Sequence, residues 1–167
     1  LAPNEVRIVP YTFDPTPLIT GEVDAVIDYM TLLPWVVEKS SGKPAHYFFI
    51  SDTGLPLYSN VLAVTGETLR TRRADLVSFL SASRAAWERN FQNPDTYPQR
   101  YANSWFAHGG LTVEAMQAQN RAQQALMVGP EGFFALPPDE IARNLSTLRL
   151  LDISATADMF DPSLLAA

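Results

Sequence analysis

The most constraining stretch of the sequence is FDPTPLITGEVDAVIDY, which spans residues 13–29. It predicts a turn, a short helix, a glycine stop and then an apolar strand over residues 24–29. Asp14 is placed to cap the helix, because its carboxylate can accept from N–H groups that have no partner in a first turn. Gly21 can adopt the left-handed conformation that ends a helix. The stretch therefore predicts the second half of a βαβ unit.

Three further segments have the composition of strands. Residues 5–11 alternate and contain β-branched side chains, residues 45–50 are apolar and aromatic, and residues 58–65 are largely apolar. Short helices predicted at 15–20 and 32–40 separate the first strands along the chain. Strands that alternate with helices favour a mostly parallel sheet with right-handed crossovers, which makes the predicted fold class α/β.

The second half of the chain is predicted to be helical. Apolar side chains recur there at helical spacing, and proline or glycine pairs separate the runs. The three tryptophans are interpreted as core side chains, because helical spacing favours packing over ligand stacking. The predicted helices span 68–91, 96–107, 111–125 and 137–150, with a short one in the tail ADMFDPSLLAA.

Composition excludes several classes of protein. With 47% hydrophobic and 18% charged residues, the chain is globular rather than disordered. A net charge of −6 argues against nucleic acid as a partner, because phosphate binding needs a concentrated basic surface. The absence of cysteine excludes disulfides and thiolate metal sites.

An enzyme is not expected. His46 and His108 are the only histidines, and neither lies in a metal-binding spacing such as H-E-x-x-H. No G-x-S-x-G elbow and no phosphate-binding glycine loop occur in the sequence. We therefore predict no catalytic residues, no cofactor and no metal.

Three stretches together resemble one family. FDPTPLITGEVDAVIDY, DTGLPLYSNVLAVTGETL and RADLVSFLSASRAAWERNFQNP follow one another as in substrate-binding proteins of ABC importers. The group concerned serves the uptake of nitrate, sulfonates, taurine and thiamine precursors. The resemblance implies a type II periplasmic-binding-protein-like fold, which is a three-layer α/β/α arrangement in two lobes with a small-molecule ligand between them.

The resemblance also sets expectations for organisation and partners. It matches the second half of considerably longer proteins, so we expect an incomplete two-lobed fold. Residues 1–57 are assigned to part of the second lobe and residues 58–167 to the C-terminal part of the first. The implied partners are the small-molecule ligand and a membrane permease, plus either the N-terminal half or a second copy in a domain-swapped homodimer. The implied location is periplasmic or extracellular, with an export signal or lipid anchor upstream of Leu1.

Five residues are predicted to bind the ligand. In open α/β sheets ligands lie outside the carboxyl ends of the strands, where Phe13, Asp28 and Tyr29 are expected. Asp52 and Tyr58 lie in the segment predicted to cross between the lobes. Two alternatives stay open: Asp28 caps the next helix, or Asp52 only braces its loop.

The type of ligand is also constrained by sequence. A helix N-terminus attracts anions, but Asp14, as the cap, would compete with an anionic ligand. This favours a planar or cationic ligand over nitrate or a sulfonate. The solutes that the resemblance implies stay open: a thiamine-pyrimidine-like compound, a sulfonate, nitrate or a similar molecule.

A second function is compatible with the same fold. Transcription regulators use related two-lobed modules to sense small effectors in the cytosol. That alternative predicts a DNA-binding helix-turn-helix upstream of Leu1, whereas an importer component predicts a signal or lipoprotein sequence there.

Overall fold

The computed structural model describes residues 2–164, which form a mainly helical chain. An antiparallel hairpin of β1 (Val128–Gly129) and β2 (Gly132–Phe133) is the one sheet within that range, with Val128 opposite Phe133. Single 3₁₀ turns occupy Pro3–Glu5, Ile50–Thr53, Ala157–Met159 and Pro162–Leu164. The helices are α1 (Thr16–Thr20), α2 (Leu33–Ser41), α3 (Gly66–Thr71), α4 (Arg73–Gln92), α5 (Thr96–Tyr101), α6 (Val113–Met127) and α7 (Pro138–Leu150).

Helix α1 confirms the predicted glycine stop, whereas its N-cap is Pro15 rather than Asp14. Asp14 lies one residue earlier, and its Oδ1 accepts from the Thr16 N–H at 2.9 Å. Gly21 has a φ of 80°, and the next N–H, from Glu22, donates to the carbonyl of Pro17 at 2.8 Å. This is the Schellman arrangement that a left-handed glycine permits at a helix end.

The other helices lie close to their predicted positions, with local differences. The predicted helix 68–91 is divided into α3 and α4 at Arg72, whose φ of −123° is not helical. The predicted helix 96–107 ends at Tyr101 and continues as turns. Trp105 lies in those turns and is 84% exposed, so its interpretation as a core side chain was wrong. The tail contains two 3₁₀ turns up to Leu164, and residues 165–167 lie outside the described residues.

Helix α6 is the centre of the helical assembly. It contacts α2 and α5, and it is joined to α4 by a buried pair of amides. Asn90 Nδ2 donates to Asn120 Oδ1 at 3.0 Å, and Asn120 Nδ2 donates back to Asn90 Oδ1 at 2.9 Å. Asn120 Nδ2 also donates to the carbonyl of Pro94 at 2.6 Å. Helices α4 and α6 and the turn after α4 are thus fixed by one polar network.

Apart from Pro98 of α5, the buried apolar side chains of the described residues lie on the last two long helices and at the C-terminal end. They are Ala115 of α6, Ile141 and Leu145 of α7, and Leu164. Arg73 at the start of α4 holds the last turn through Asp161 and Ser163. The hydrophobic core therefore belongs to the helical second half of the chain.

The four predicted strands do not form a sheet. The prediction of a mostly parallel sheet, on which the α/β class was based, is therefore wrong for the described residues. Residues 5–11, 24–29, 45–50 and 58–65 have no strand assignment, and no backbone hydrogen bond joins any two of them within the described residues. Their apolar side chains face solvent: Ile8 is 90% exposed.

The physical reason is that no layer within residues 2–164 covers the faces of such a sheet. A parallel sheet is buried on both faces by its crossover helices. Helix α1 has five residues and none of them is buried, so it covers little of a sheet face. A strand pattern in the sequence indicates which side chains suit a sheet. The sheet itself also needs neighbouring strands to pair with and helices that pack on its faces.

The accessible surface quantifies this open arrangement. The chain exposes 12474 Å², whereas a compact monomer of its mass exposes about 8,200 Å². The difference of about 4,300 Å² is several times the ~800 Å² that each partner contributes to a standard interface. Much of the first half therefore exposes to solvent apolar side chains of the kind that fill a protein interior.

Candidate ligand-binding surface

Four residues of the first half form a polar and aromatic group, which we call the Asp28 surface: Tyr11, Phe13, Asp28 and Tyr29. The Tyr11 hydroxyl donates to Asp28 Oδ2 at 2.5 Å. The backbone N–H of Tyr29 donates to Asp28 Oδ1 at 2.6 Å. The rings of Tyr11 and Phe13 lie 5.5 Å apart at an angle of 52°. Tyr11 thus links two of the predicted site residues, Phe13 and Asp28, and Tyr29 adjoins Asp28 in the chain.

The backbone at Phe13 presents its ring to solvent. Phe13 has a φ of 59°, in the left-handed region that costs a residue with a Cβ roughly 1–2 kcal/mol. Its side chain is 79% exposed, and that of Tyr29 is 67% exposed. Exposed aromatic rings such as these are suited to stacking against a planar ligand.

Asp28 does not cap the following helix, so that alternative is wrong. Helix α2 begins at Leu33, its N-cap is Leu32, and no side chain caps it. The carbonyl of Tyr29 instead accepts from the N–H groups of Leu32 and Leu33 at 3.4 and 3.3 Å. The Asp28 carboxylate is therefore not required by the helix and stays open on its solvent side.

The electrostatics of the surface favour positive or hydrogen-bond-donating ligands. No lysine, arginine or histidine within residues 2–164 forms a salt bridge with Asp28. Asp14 lies next to Phe13, and its hydrogen bonds with Thr16 hold the pKa of its carboxyl below the usual value. A second ionised carboxylate close by makes the surface unfavourable for an anion.

The pKa of Tyr11 reports on the same contact. Burial, followed by the hydrogen bond to Asp28 and the negative charge of that carboxylate, raises the pKa of Tyr11 from 10.0 to about 12. The folded chain therefore holds the neutral phenol more strongly than the unfolded chain does. The associated stabilisation is present in full below pH 10 and is lost as the pH rises through about 12.

An alkaline titration tests this pKa. We expect the phenolate absorbance of the folded chain to show a late step near pH 12 that the Tyr11→Phe variant lacks. In Asp28→Asn the pKa of Tyr11 should fall toward its ordinary value, because the acceptor loses its charge. A Tyr11→Phe variant whose missing step lies near pH 10 would contradict the contact.

Asp52 and Tyr58 are not part of the Asp28 surface. Within the described residues, no hydrogen bond, ion pair or ring contact joins either of them to it. Asp52 Oδ2 accepts from the Phe49 N–H at 3.1 Å, so the carboxylate braces its 3₁₀ turn, as the alternative for Asp52 proposed. Their roles as ligand-binding residues stay predictions.

Tyr58 is attached to the helical core. Its N–H donates to Asn144 Oδ1 at 2.5 Å, and its ring lies 6.3 Å from that of Phe160. Its hydroxyl is buried without a hydrogen-bond partner among the described residues. Burial, followed by the charge of Glu140, raises the pKa of Tyr58. The half-buried side chain has little surface to offer a ligand.

An open groove lies between the Ile50–Thr53 turn with its following loop and α7. Its volume is about 420 Å³, and it is lined by Ser51, Gly54, Pro56, Ala142, Arg143, Ser146, Thr147 and Leu150. Arg143 is the charged residue of this lining, and it already pairs with Glu140 and Asp139. The groove therefore offers a ligand less unused charge than the Asp28 surface does.

Tyr11 is the residue that sequence reasoning missed. It is the last residue of the predicted strand 5–11, and strand ends at that edge are expected to meet ligands. The rule that selected Phe13 and Asp28 therefore applied to Tyr11 as well.

Comparison with known proteins places the chain in a family. The model of the family described as NMT1/THI5 like matches residues 1–97, which is more than half of the chain and includes the whole Asp28 surface. The chain therefore belongs to the NMT1/THI5-like family, which comprises substrate-binding components of ABC transporters. The family implies a type II periplasmic binding fold. No curated protein and no solved structure matches the chain.

The family is typically periplasmic or extracellular. None of the helices within residues 2–164 combines the length and the apolar character needed to cross a membrane.

Proposed function

We propose that the chain is the solute-binding component of an ABC importer and that it binds a planar, N–H-donating molecule of the thiamine-pyrimidine class at the Asp28 surface. The observation that carries this proposal is the Asp28 carboxylate. It lacks a salt-bridge partner within residues 2–164, and it accepts hydrogen bonds from Tyr11 and from the Tyr29 N–H, while the Tyr11 ring contacts the exposed ring of Phe13. A protonated aminopyrimidine offers the complementary features, which are a flat ring, positive charge and N–H donors.

Nitrate and sulfonates fit this surface less well. Both are anions, and two carboxylates, Asp14 and Asp28, lie on or beside the surface. The first N–H of α1, which an anion would need, already donates to Asp14 at 2.9 Å. The proposed ligand class is therefore cationic or neutral, within the range of solutes that the family serves.

The proposed role is binding, with delivery of the ligand to a membrane permease outside the cytoplasm. Closure of two lobes on a ligand is a hinge motion that presents a new surface to a partner. Ser51 to Tyr58 is the connecting segment in this account, and the N–H of Tyr58 anchors its end to Asn144 of α7.

Isothermal titration with three solutes tests the ligand class. We expect 4-aminopyrimidine, at a mildly acidic pH where its ring is protonated, to bind at least about tenfold more tightly than taurine or nitrate, a difference of about 1.4 kcal/mol. Tighter binding of taurine or nitrate would contradict the proposed class. Binding of none of the three would contradict the proposed function of the chain.

The oligomeric state of the purified chain tests what covers the exposed first half. We propose that its uncovered strand-like segments pair with a second copy or with the N-terminal half of the family fold, because unpaired apolar segments invite pairing. Native mass spectrometry should show a dimer or a retained second fragment. A bare 18.5 kDa monomer at high concentration would contradict this proposal.

A further inference from the structure

We infer that Tyr11 is a positioning residue of the Asp28 surface, and that it makes Asp28 select ligands with two parallel N–H donors over ligands with a single ammonium group. This inference rests on the proposed function of the surface. Tyr11 would contact Asp28 and not the donors of the ligand. The proposed class of ligand becomes narrower, since its members must carry an amidine-like group.

The Asp28 side chain is restrained by two hydrogen bonds. An exposed aspartate ordinarily rotates among several conformations, and fixing it costs conformational entropy when a ligand binds. Here Tyr11 holds one carboxylate oxygen from a segment 17 residues away, and the Tyr29 N–H holds the other. The plane of the carboxylate is thus set before a ligand arrives, which lowers the cost of binding.

The Asp28 carboxylate keeps free acceptor positions for a ligand. An ionised carboxylate has two oxygens with about four lone-pair sites between them. Tyr11 and Tyr29 occupy one site on each oxygen, so one site on each remains. Two free sites on a fixed carboxylate match a planar pair of parallel N–H donors, the geometry found in strong bidentate pairs.

Tyr11 contacts both Asp28, through its hydroxyl, and Phe13, through its ring. The same residue therefore orients the carboxylate and flanks the exposed Phe13 ring. A flat group whose donors face Asp28 can then stack on that ring. The N–H bonds of an ammonium group diverge from one nitrogen, so they cannot make two parallel, linear hydrogen bonds to the two carboxylate oxygens.

Two probes of equal charge separate these geometries. Benzamidine has a planar fork of two parallel N–H donors, and benzylamine has a single ammonium group on a similar ring. We expect the wild-type chain to prefer benzamidine. In Tyr11→Phe, which keeps the ring and removes the hydroxyl, the Kd for benzamidine should rise about three- to tenfold, as for one lost hydrogen bond, while that for benzylamine changes less.

The control variant is Tyr47→Phe. Tyr47 is exposed, and its hydroxyl makes no hydrogen bond within the described residues, so both affinities should stay unchanged. Circular dichroism of Tyr11→Phe checks that its helices are intact. The ratio of the two dissociation constants is the informative quantity, because a general loss of structure would weaken both probes together.

The outcomes separate the inference from the function on which it rests. If the wild-type chain prefers benzamidine and Tyr11→Phe loses that preference, the positioning role is supported. If the wild-type chain binds benzamidine or 4-aminopyrimidine but Tyr11→Phe keeps the same ratio, the positioning role is wrong and the proposed function stands. If the wild-type chain binds neither, both are overturned.

Discussion

Replacing Asn120 with alanine is expected to lower the free energy of unfolding by about 2–3 kcal/mol, because it leaves buried polar groups without partners. Asn120 is 9% exposed and makes three hydrogen bonds, two with the Asn90 amide and one with the Pro94 carbonyl. After the substitution the Asn90 amide stays buried and loses both of its hydrogen bonds with the Asn120 side chain. Urea unfolding, followed by the helical circular dichroism signal, measures the change.

Two variants make this result specific to the amide pair. Gln124 lies on the same helix, is exposed and makes no side-chain hydrogen bond within the described residues, so Gln124→Ala should change stability by less than about 0.5 kcal/mol. The double variant Asn90→Ala with Asn120→Ala should lose less than the sum of the two single losses, because both remove the same contact. Additive losses would show that the two amides do not act as a pair.

Replacing Asp28 with asparagine is expected to weaken binding of 4-aminopyrimidine by about 10- to 100-fold, as for a lost charge-assisted hydrogen bond of about 1.5–3 kcal/mol. Asparagine keeps the size of the side chain but replaces one acceptor oxygen with a donor NH₂ group and removes the negative charge. Because Asp28 is exposed and caps no helix, stability should change little. Isothermal titration of the variant and the wild-type chain gives the ratio of dissociation constants.

Asp24 provides the matched control for charge. It lies four residues earlier in the same acidic segment, is exposed, and makes no side-chain hydrogen bond within the described residues. Asp24→Asn changes the net charge by the same amount, so any effect of long-range attraction alone would appear in both variants. Equal weakening by the two substitutions would contradict a direct contact between Asp28 and the ligand.

The helices were predictable because their signals are local. Asp14 and Gly21 fix the ends of α1 through bonds to residues no more than five positions away in the sequence. The strand predictions were wrong because a strand is completed by hydrogen-bonding partners that can lie far away in the chain or in another chain. Ile8 suits a buried strand by its side chain, yet it is 90% exposed since nothing in residues 2–164 covers it.

The rule for strand ends selected Phe13, Asp28 and Tyr29, and their ligand-binding roles stay predictions. It gave no sign that the Tyr11 hydroxyl contacts Asp28, because that contact depends on how two segments 17 residues apart are brought together. The contact between Asn90 and Asn120 likewise could not be predicted from the sequence, because each is an ordinary polar residue on its own helix.

Changes in backbone amide NMR resonances map where 4-aminopyrimidine binds on the chain. We expect the largest changes at Tyr11, Phe13, Asp14, Asp28 and Tyr29, and we expect them to disappear in Asp28→Asn. Changes centred instead on Ser51, Gly54 and Arg143 would place the ligand in the groove beside α7 and would contradict the Asp28 surface as the binding site.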